Sequence, residues 1–440
     1  MNRRSFLKLT ALLPAVDLSW RSRLDDHHFA YESVIGTSLD LIVGSPSVRV
    51  AEGVSRTIRE EIDRLASILD TRNPASEISR LEFSDDDRGA SRELSDVLRA
   101  YEHWERRTGG LLSIRSAGAD TPRNVDALGK AYIVDRAAAA ARRAWPSIEG
   151  LMLDVGGHIV VWGRPREIGI ADPDASYDNG RPITTISVRN VAVATSGTYA
   201  RGAHLIDARS GQPIVTPVAA TVVAADAVTA NALATTLCVT SADEGLRLVE
   251  ATPGAEALRI ASGLLTRTSG FARLERLVVV EPAAERPPAA TNWPPGYRVT
   301  MNLPLTSGKS KKRPYVAVWV EDSSNKLVRV LAIWAGKSKY YSTLSTFWGV
   351  VGGNLQPFRP VTRATRSAGA YDLVWDGLDN DRKPVPLGSY RITVETNQED
   401  GTYAKQVGTI EISDRPGSTT LPATWSTRVQ SSLLNMTPPR

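Results

Sequence analysis

Apolar residues recur at helical spacing in two stretches near the start of the chain. The first stripe runs through Ala51, Val54, Ile58, Ile62, Leu65 and Leu69. The second contains Leu94, Val97, Leu98, Tyr101 and Trp104 and precedes the Gly109-Gly110 pair. Because apolar residues recur every three or four positions, their side chains lie on one face of a helix. We therefore predict two amphipathic helices whose apolar stripes form core and not a ligand site.

Alternating and β-branched runs predict strands before and after these helices. The expected strands cover 31–43, 151–163 (an apolar strand ending on Gly156-Gly157), 168–173, 191–197 and 219–225. A helix is predicted to begin near Asp226, and another in the segment ADEGLRLVEATPG. Helical and strand patterns thus share the first part of the chain. This mixture predicts an α+β fold class with a mixed α/β core.

The C-terminal part has a different pattern. Segments such as YVAVWVED, LVRVLAIWAG and SYRITVET alternate or are β-branched, and turns separate them at regular intervals. The Trp and Tyr residues here are expected to be core and turn packing. This part is therefore predicted to be an all-β, immunoglobulin-like sandwich. The runs Trp375–Asp379 and Pro386–Tyr390 resemble the immunoglobulin-like domain of flagellar hook-capping proteins, and also a sandwich domain of unknown function.

Composition divides the chain further. A Pro- and Ala-rich segment predicts a linker at 283–296, between a first domain at 30–282 and the sandwich at 297–414. Residues 415–440 are rich in Ser, Thr and Pro, which predicts a flexible tail. Residues 1–29 are expected to be a leader. Its opening, MNRRSFLKLTALLPAV, has twin arginines before a short apolar run and resembles a twin-arginine export signal.

Charge and cysteine content limit the function classes. The chain has 440 residues, a net charge of +5 and one cysteine, Cys238. Scattered basic residues without a nucleic-acid module give no indication of a nucleic-acid partner. A single cysteine excludes an internal disulfide framework. Beyond the leader no apolar run reaches the roughly 20 residues that a membrane-spanning helix needs. The mature protein is therefore expected to be exported to the periplasm, or otherwise out of the cytoplasm, without a transmembrane span.

Candidate chemistry is concentrated between Ala194 and Leu237. A polar hairpin there contains His204 and Asp207, and the helix after it carries Asn231 and Thr235. A four-residue spacing places the last two side chains on one helix face. From these residues alone, the stretch is either a hairpin with a core helix or a place where an anionic group is held beside a helix start.

The ordered motifs of this stretch resemble those of a known enzyme family. They are T-S-G-x-Y-x-R from Thr195, H-L-I-D-x-R-S-G-x-P from His204, and T-V-V-A-x-D-A-x-x-A-N-A-L-A-T ending at Thr235. They resemble the FAD:protein FMN transferases (ApbE-type flavin transferases). The resemblance implies magnesium-dependent transfer of FMN from FAD to a Thr or Ser hydroxyl of an acceptor protein, with release of AMP.

The resemblance also implies roles for individual residues. Magnesium would be bound by the carbonyl of Ala127 and by Asn231 and Thr235. His204, which titrates near neutral pH, would be the base, and Asp207 would orient it or contact the flavin. The remaining implied FAD contacts are Ile35, Arg72, Leu111, Leu112, Ser113, Asn124, Lys130, Gly156, Gly157, Ser196, Gly197 and Arg209.

Several of these positions depart from the family pattern. The family has Met at Ile35, an aromatic residue at Arg72, an acidic residue at Ser113, Gly at Ala131, Asp at His158 and Asp at Asn231. All but His158 concern positions that the family uses for its cofactor. Two other interpretations therefore stay open: an FAD pyrophosphate hydrolase that releases FMN and AMP, and a degenerate flavin-binding or scaffold protein whose sandwich contacts a partner.

Overall fold

A computed structural model provides the structure of the chain. The residues it describes are 25–81, 87–115, 121–171, 173, 180, 182–198, 205–276, 293, 297–305, 313–335, 338–355, 358, 362–363, 369–398, 403–413, 415, 417–421 and 432–437. The predicted leader lies outside the described residues up to position 24, and so does His204.

The first domain contains both strands and helices, grouped in runs along the chain. Its strands are β1 (Asp25–Val34), β2 (Thr37–Ser45), β3 (Gly150–Val155), β4 (His158–Trp162), β5 (Arg166–Ala171), β6 (Pro182–Val188), β7 (Val191–Gly197), β8 (Ile206–Asp207), β9 (Gln212–Pro213), β10 (Val218–Ala224), β11 (Glu256–Ala261) and β12 (Leu264–Arg267). Its helices are α1 (Val48–Leu69), α2 (Glu77–Arg80), α3 (Arg92–Arg107), α4 (Asp126–Ala144), α5 (Ala227–Val239) and α6 (Ala242–Glu250).

Within the described part of the chain, eight of these strands form one sheet in the order β1-β2-β3-β4-β7-β10-β11-β12. Every neighbouring pair is antiparallel. The strands β5 and β6 pair with each other apart from it, as do β8 and β9. Strand β7 therefore lies near the centre of the sheet, and its C-terminal end lies beside the Gly156-Gly157 turn that precedes β4.

Helices cover one face of this sheet. The inward positions of β2, at Leu39, Leu41 and Val43, pack with the apolar stripes of α1, α3, α4 and α5 in one buried cluster. On the opposite face, Ile159 and Val161 of β4 pack against the β5–β6 pair and Phe271. Because the sheet is covered on both faces, the side chains of its inner strands β7 and β10 are largely buried along the strand.

The predicted helices start at side-chain caps. Ser47 accepts from the backbone N–H of Val50 at the start of α1, and Ser91 accepts from that of Leu94 at α3. Asp226 accepts from the N–H of Thr229 at 2.8 Å and so starts α5. Such caps satisfy N–H groups that the first helical turn leaves without a partner. None of the helices in the described residues combines the length and apolar character needed to cross a membrane.

The single strand predicted at 31–43 is instead a hairpin. Val34 of β1 pairs with Thr37 of β2, so Ile35 and Gly36 form a two-residue turn. Their φ angles are +42° and +81°, as a type I′ turn requires at both central positions. The continuous β-branched pattern hides this turn, because a branched residue such as Ile35 is rarely found at positive φ.

The single apolar strand predicted at 151–163 is likewise a hairpin. Val155 pairs with His158, and Gly156 and Gly157 turn at φ +62° and +91°. Two glycines permit this turn without steric cost. His158 consequently begins β4 instead of continuing the first strand.

Among its described residues, the C-terminal part is β-rich as predicted, with a short 3₁₀ helix and a short α-helix besides the strands. Its strands are β13 (Arg298–Leu305), β14 (Tyr315–Asp322), β15 (Leu327–Trp334), β16 (Thr362–Arg363), β17 (Gly369–Trp375), β18 (Gly388–Asn397), β19 (Ala404–Ile412), β20 (Gly417–Leu421) and β21 (Ser432–Thr437), with α7 (Ser345–Val350) between β15 and β16. Among the described residues they form a four-stranded sheet, β17-β13-β21-β20, and a five-stranded sheet, β16-β15-β14-β18-β19. Val299, Val318 and Ile392 from the two sheets share one core.

Trp293 belongs to this sandwich core although the sequence places it in the linker. It is buried, and its ring centroid lies 4.9 Å from that of Trp375. Its indole N–H donates to the carbonyl of Tyr297 at 2.9 Å. A large aromatic ring with a bonded polar atom contributes strongly to a core. The sandwich therefore extends into the Pro- and Ala-rich segment.

The predicted flexible tail at 415–440 also contributes to the sandwich. Strand β21 pairs with β13 through Met301↔Leu434 and Val299↔Met436, and β20 pairs with β21. This corrects the prediction for 417–421 and 432–437. Backbone ladders depend on N–H and C=O groups that every residue except Pro supplies in full, so a Ser- and Thr-rich composition does not exclude strands.

Candidate functional site

A cavity of about 620 Å³ lies where α4, α5, the ends of β4 and β7, and the β8–β9 hairpin meet. Its volume falls within the range of small-molecule and cofactor sites. Twelve of the predicted site residues line it. They are Leu111, Leu112, Ser113, Asn124, Ala127, Lys130, Gly156, Gly157, Ser196, Gly197, Asn231 and Thr235.

Helix α5 forms one wall of the cavity. Asn231 and Thr235 lie on the same helix face, as their spacing predicts, and both line the cavity. The hydroxyl of Thr235 is 3.2 Å from that of Ser196 at the end of β7. This contact joins the helix wall to the strand wall.

Asn231 is buried to 4% exposure. Its amide nitrogen Nδ2 is buried and has no hydrogen-bond partner among the residues that the structure describes. A buried donor left in this state costs about 1–3 kcal/mol, which a ligand oxygen or a rotated amide would relieve. A ligand that hydrogen-bonds to the Asn231 amide would therefore remove this desolvation cost.

The start of α4 forms the opposite wall. Asn124 accepts from the backbone N–H of Asp126 at 2.8 Å, which orders the approach to the helix. The carboxylate of Asp126 accepts from the Thr71 hydroxyl at 2.6 Å and lies 3.6 Å from the Lys130 ammonium. Lys130 therefore brings a positive charge to the cavity close to Ala127, and Asp126 holds it there.

The Gly156-Gly157 turn forms the third wall. The N–H of Gly157 donates to Asp154 at 2.9 Å, which fixes the turn. A Cβ atom on Gly156 would lie 2.5 Å from the Thr37 hydroxyl oxygen, so the turn packs closely on β2. His158 follows, with its Nδ1 3.2 Å from the carbonyl of Val155. A donating Nδ1–H would leave the lone pair of a neutral ring on Nε2.

Ile35 and Arg72 do not line this cavity. They line a gap of about 10 Å³ beside it, together with Asp126 and Lys130. The Arg72 guanidinium lies over the Gly36 backbone, and its Nε donates to Asp70 at 2.9 Å. The two residues Ile35 and Arg72, which the resemblance assigns to flavin contacts, thus lie beside the main cavity and not in its lining.

Asp207 and Arg209 pair with each other. The Arg209 guanidinium and backbone N–H donate to the Asp207 carboxylate at 2.9–3.3 Å. Hydrogen bonds from Arg209 lower the pKa of Asp207. Arg209 lines a second space of about 420 Å³, which shares Ser113, Ile114 and Ala208 with the main cavity. Their ion pair therefore lies beside the main cavity and not in its lining.

Eight further residues line the cavity without having been predicted as site residues. They are Tyr101, Ile114, Asp126, His158, Thr195, Leu205, Ile206 and Ala208. Tyr101 belongs to an apolar helix stripe, but its hydroxyl accepts from the backbone N–H of Leu128 at the start of α4. Burial raises its pKa. In the sequence, the hydroxyl group of Tyr101 within an otherwise apolar helix stripe is the feature that could have indicated a place in the cavity lining.

The arrangement suits an anionic ligand with hydrogen-bonding groups. Glycine turns bring backbone close to the cavity, Lys130 provides a cation, and Ser196, Thr235 and Asn231 provide neutral polar atoms. Among the described residues, no group of three or more His, Cys, Asp or Glu side chains is placed to hold a metal ion. The three residues that the resemblance assigns to magnesium, Ala127, Asn231 and Thr235, offer neutral oxygens only, so a cation held by them would also draw on charge carried by the ligand.

Comparisons with known proteins define the class to which these two parts belong. The model of the ApbE family matches residues 114–259. A model described as "Predicted periplasmic protein (DUF2271)" matches residues 296–427. One region of the chain therefore matches the ApbE family model, and a second region, which is β-rich, matches the DUF2271 model. These matches confirm the predicted resemblance to the ApbE-type flavin transferases and the β-rich domain that follows.

Several solved structures are similar to part of this chain, and one of them, the ApbE protein of Thermotoga maritima, supports the same fold. It is 20% identical, with a TM-score of 0.50, and the match covers 57% of this chain and 100% of that one. The flavin transferase ApbE of Vibrio cholerae is 21% identical with a TM-score of 0.49, over 57% and 99%. The apo flavinyl transferase ApbE of Pseudomonas stutzeri is 17% identical with a TM-score of 0.48, over 57% and 98%. A search of curated proteins gives no significant match. The predicted α+β fold with an ApbE-like core is confirmed.

Proposed function

We propose that this protein transfers FMN from FAD to a Thr or Ser hydroxyl of an acceptor protein and releases AMP. The observation that carries the proposal is the meeting of twelve motif residues around one cavity in an ApbE-family domain. Solved neighbours bear the name flavin transferase. Fold likeness alone does not assign chemistry, so the argument rests on the residues of this site.

The reaction places particular demands on these residues. The acceptor oxygen forms a bond to the FMN phosphorus while the bond from that phosphorus to the AMP oxygen breaks, and the hydroxyl proton leaves. In our proposal His204 takes that proton, since its ring titrates near neutral pH. Lys130 and the backbone of the Thr195–Gly197 segment offset phosphate charge. AMP leaves with the bridging oxygen.

Magnesium fits the donor atoms of this cavity. The Ala127 carbonyl, the Asn231 amide oxygen and the Thr235 hydroxyl are hard oxygens that a magnesium ion accepts, and all three residues line the cavity. None of them is charged, so the two FAD phosphates would complete the set. Bound there, the ion would offset negative charge on the phosphates during transfer.

The location of the reaction is part of the proposal. The twin arginines, Arg3 and Arg4, precede a short apolar run. The C-terminal domain matches a model described as periplasmic. We propose that the chain is exported through a twin-arginine signal and that its acceptor is a periplasmic or membrane-attached protein with an exposed target hydroxyl.

The test is incubation with FAD, Mg²⁺ and a candidate acceptor, followed by measurement of AMP and of flavin fluorescence on the acceptor in a denaturing gel. AMP with a labelled acceptor supports transfer. AMP alone indicates a hydrolase, and neither product with FAD still bound indicates a binding or scaffold protein.

A matched pair of variants assigns the activity to the cavity. Thr235→Val removes a hydroxyl that lines it. Thr236→Val removes the neighbouring hydroxyl, which donates to the Ala232 carbonyl inside α5 and is buried. Loss of AMP release in the first variant only supports this site. Equal loss in both would place the chemistry elsewhere.

A further inference from the structure

Asp135 of α4 reaches the first turn of α5. Its two carboxylate oxygens lie 3.0 and 2.9 Å from the backbone N of Ala227, and Oδ2 also accepts from the N–H of Val228 at 3.3 Å. The first N–H groups of a helix have no partner within that helix, and the helix dipole favours an anion there. A side chain of one helix thus caps the other.

The two helices that this contact joins also carry residues of the cavity. On α4, Ala127 and Asp135 are eight residues apart, about 12 Å along the axis and roughly 80° around it. On α5, Ala227, Asn231 and Thr235 follow at four-residue spacing. Ala127, Asn231 and Thr235 line the cavity. The Asp135 contact therefore joins the two helices that carry these three cavity-lining residues.

We propose that Asp135 is a positioning residue that sets the distance between Ala127 on α4 and the Asn231 and Thr235 side chains on α5. The inference rests on the proposed function, because it concerns groups proposed to hold magnesium and phosphate. A helix moves nearly as a rigid body, so a shift at its capped end is carried to the cavity. Misplacement of about 1 Å is enough to reduce a rate about 100-fold.

The same helix start offers a matched control. Asp226 accepts from the N–H of Thr229 at 2.8 Å and from its hydroxyl at 2.9 Å. Both groups belong to α5 itself, so Asp226 caps the helix without linking it to α4. Asp135→Ala and Asp226→Ala each remove one carboxylate from the same terminus, but only the first removes hydrogen bonds that join the two helices.

The experiment compares full-length wild type, Asp135→Ala, Asp135→Asn and Asp226→Ala. Three quantities are measured: the melting temperature, the FAD dissociation constant by flavin fluorescence at several Mg²⁺ concentrations, and the Mg²⁺ concentration for half-maximal AMP release. We expect Asp135→Ala to raise that Mg²⁺ concentration about 10–100-fold, as loss of a supporting partner does in metal sites. Asp135→Asn, which keeps one acceptor oxygen, should recover part of the loss. Asp226→Ala should change it less than about threefold at a comparable melting temperature.

Equal shifts in Asp135→Ala and Asp226→Ala would overturn the inference, because the loss would then follow helix stability alone. If Asp135→Ala does not fold, Asp135→Asn decides: a wild-type Mg²⁺ requirement together with a lowered melting temperature would overturn it. A wild-type protein that neither binds FAD nor releases AMP overturns the proposed function and this inference with it. That outcome is visible before any variant is compared.

Discussion

The hydroxyl groups of Ser196 and Thr235 lie 3.2 Å apart, although 39 positions separate them in the chain. The contact joins the end of β7 to the middle of α5 at the cavity wall. It brings the T-S-G motif next to the helix motif that follows the hairpin. Both motifs therefore line one cavity, and the predictions below test whether it is a shared site.

Asn231 should limit magnesium use. Magnesium prefers anionic oxygen ligands, so an amide at this position weakens binding. Asn231→Asp should lower the Mg²⁺ concentration needed for half-maximal AMP release about 10–100-fold, and Asn231→Ala should raise it. AMP release is measured against Mg²⁺ concentration for the three proteins. Superimposable curves would show that the ion is bound elsewhere or not at all.

Loss of His204 should slow transfer without abolishing FAD binding. Removal of a general base typically costs roughly 10²–10⁴-fold in rate. We expect His204→Ala to show this loss in labelling of the acceptor, with an unchanged FAD dissociation constant. His103→Ala is the control, since His103 is exposed and packs edge-on against Trp104. Wild-type turnover in His204→Ala would remove His204 from the mechanism.

The two glycines of the turn at the cavity should differ in their tolerance of a side chain. Both have positive φ angles, +62° for Gly156 and +91° for Gly157. A Cβ on Gly156 would lie 2.5 Å from the Thr37 hydroxyl oxygen, whereas on Gly157 its nearest neighbour is the Thr195 carbonyl oxygen at 3.7 Å. Gly156→Ala should therefore lower the free energy of unfolding by about 1–3 kcal/mol more than Gly157→Ala does. Chemical denaturation measures both, and equal losses would contradict the packing at Thr37.

Stability should depend on pH through Asp135. Burial raises the pKa of its carboxyl from 3.8 to about 7, and hydrogen bonds from Ala227 and Val228 oppose the rise. Between about pH 4 and pH 7 the folded protein therefore holds a proton that the unfolded chain has released. In that window stability falls as pH rises, by at most about 4 kcal/mol for such a shift. Below it both states are protonated, and above it both are ionised.

Asp135→Asn isolates this contribution, since all other titrating groups are shared with the wild type. The free energy of unfolding is measured by denaturation at intervals from pH 4 to 8. We expect the difference between wild type and variant to decline towards pH 7 and then level off. A difference that stays constant with pH would mean that Asp135 keeps an ordinary pKa.

The first domain should fold without the sandwich. In the described residues, the two buried clusters around the eight-stranded sheet draw on no residue beyond Leu274, and the sandwich clusters begin at Trp293. A fragment of residues 25–282 should therefore unfold cooperatively and bind FAD as the full chain does. Insolubility of the fragment beside a soluble full chain would show that the sandwich completes the first domain.

Much of the local structure could be predicted because it depends on neighbours in the chain. The stripe from Ala51 to Leu69 and the Asp226 start of α5 follow from helical periodicity and capping, and both are present. The Ile35-Gly36 turn could not be predicted in this way. There the β-branched pattern continues through the turn, and cross-strand pairing of Val34 with Thr37 determines the conformation.

Periodicity and the order of the motifs are enough to predict a mixed first domain with transferase motifs, followed by a β-rich domain. Which of the motif residues meet depends on how the elements pack in three dimensions. The tertiary structure brings Lys130, Gly157, Ser196 and Asn231 to one cavity, and it leaves Ile35 and Arg72 beside it. It also pairs β21 with β13 in the sandwich. The physical reason is that periodicity reports which face of an element is buried, whereas contacts between distant elements depend on strand pairing and packing, which short-range patterns do not encode.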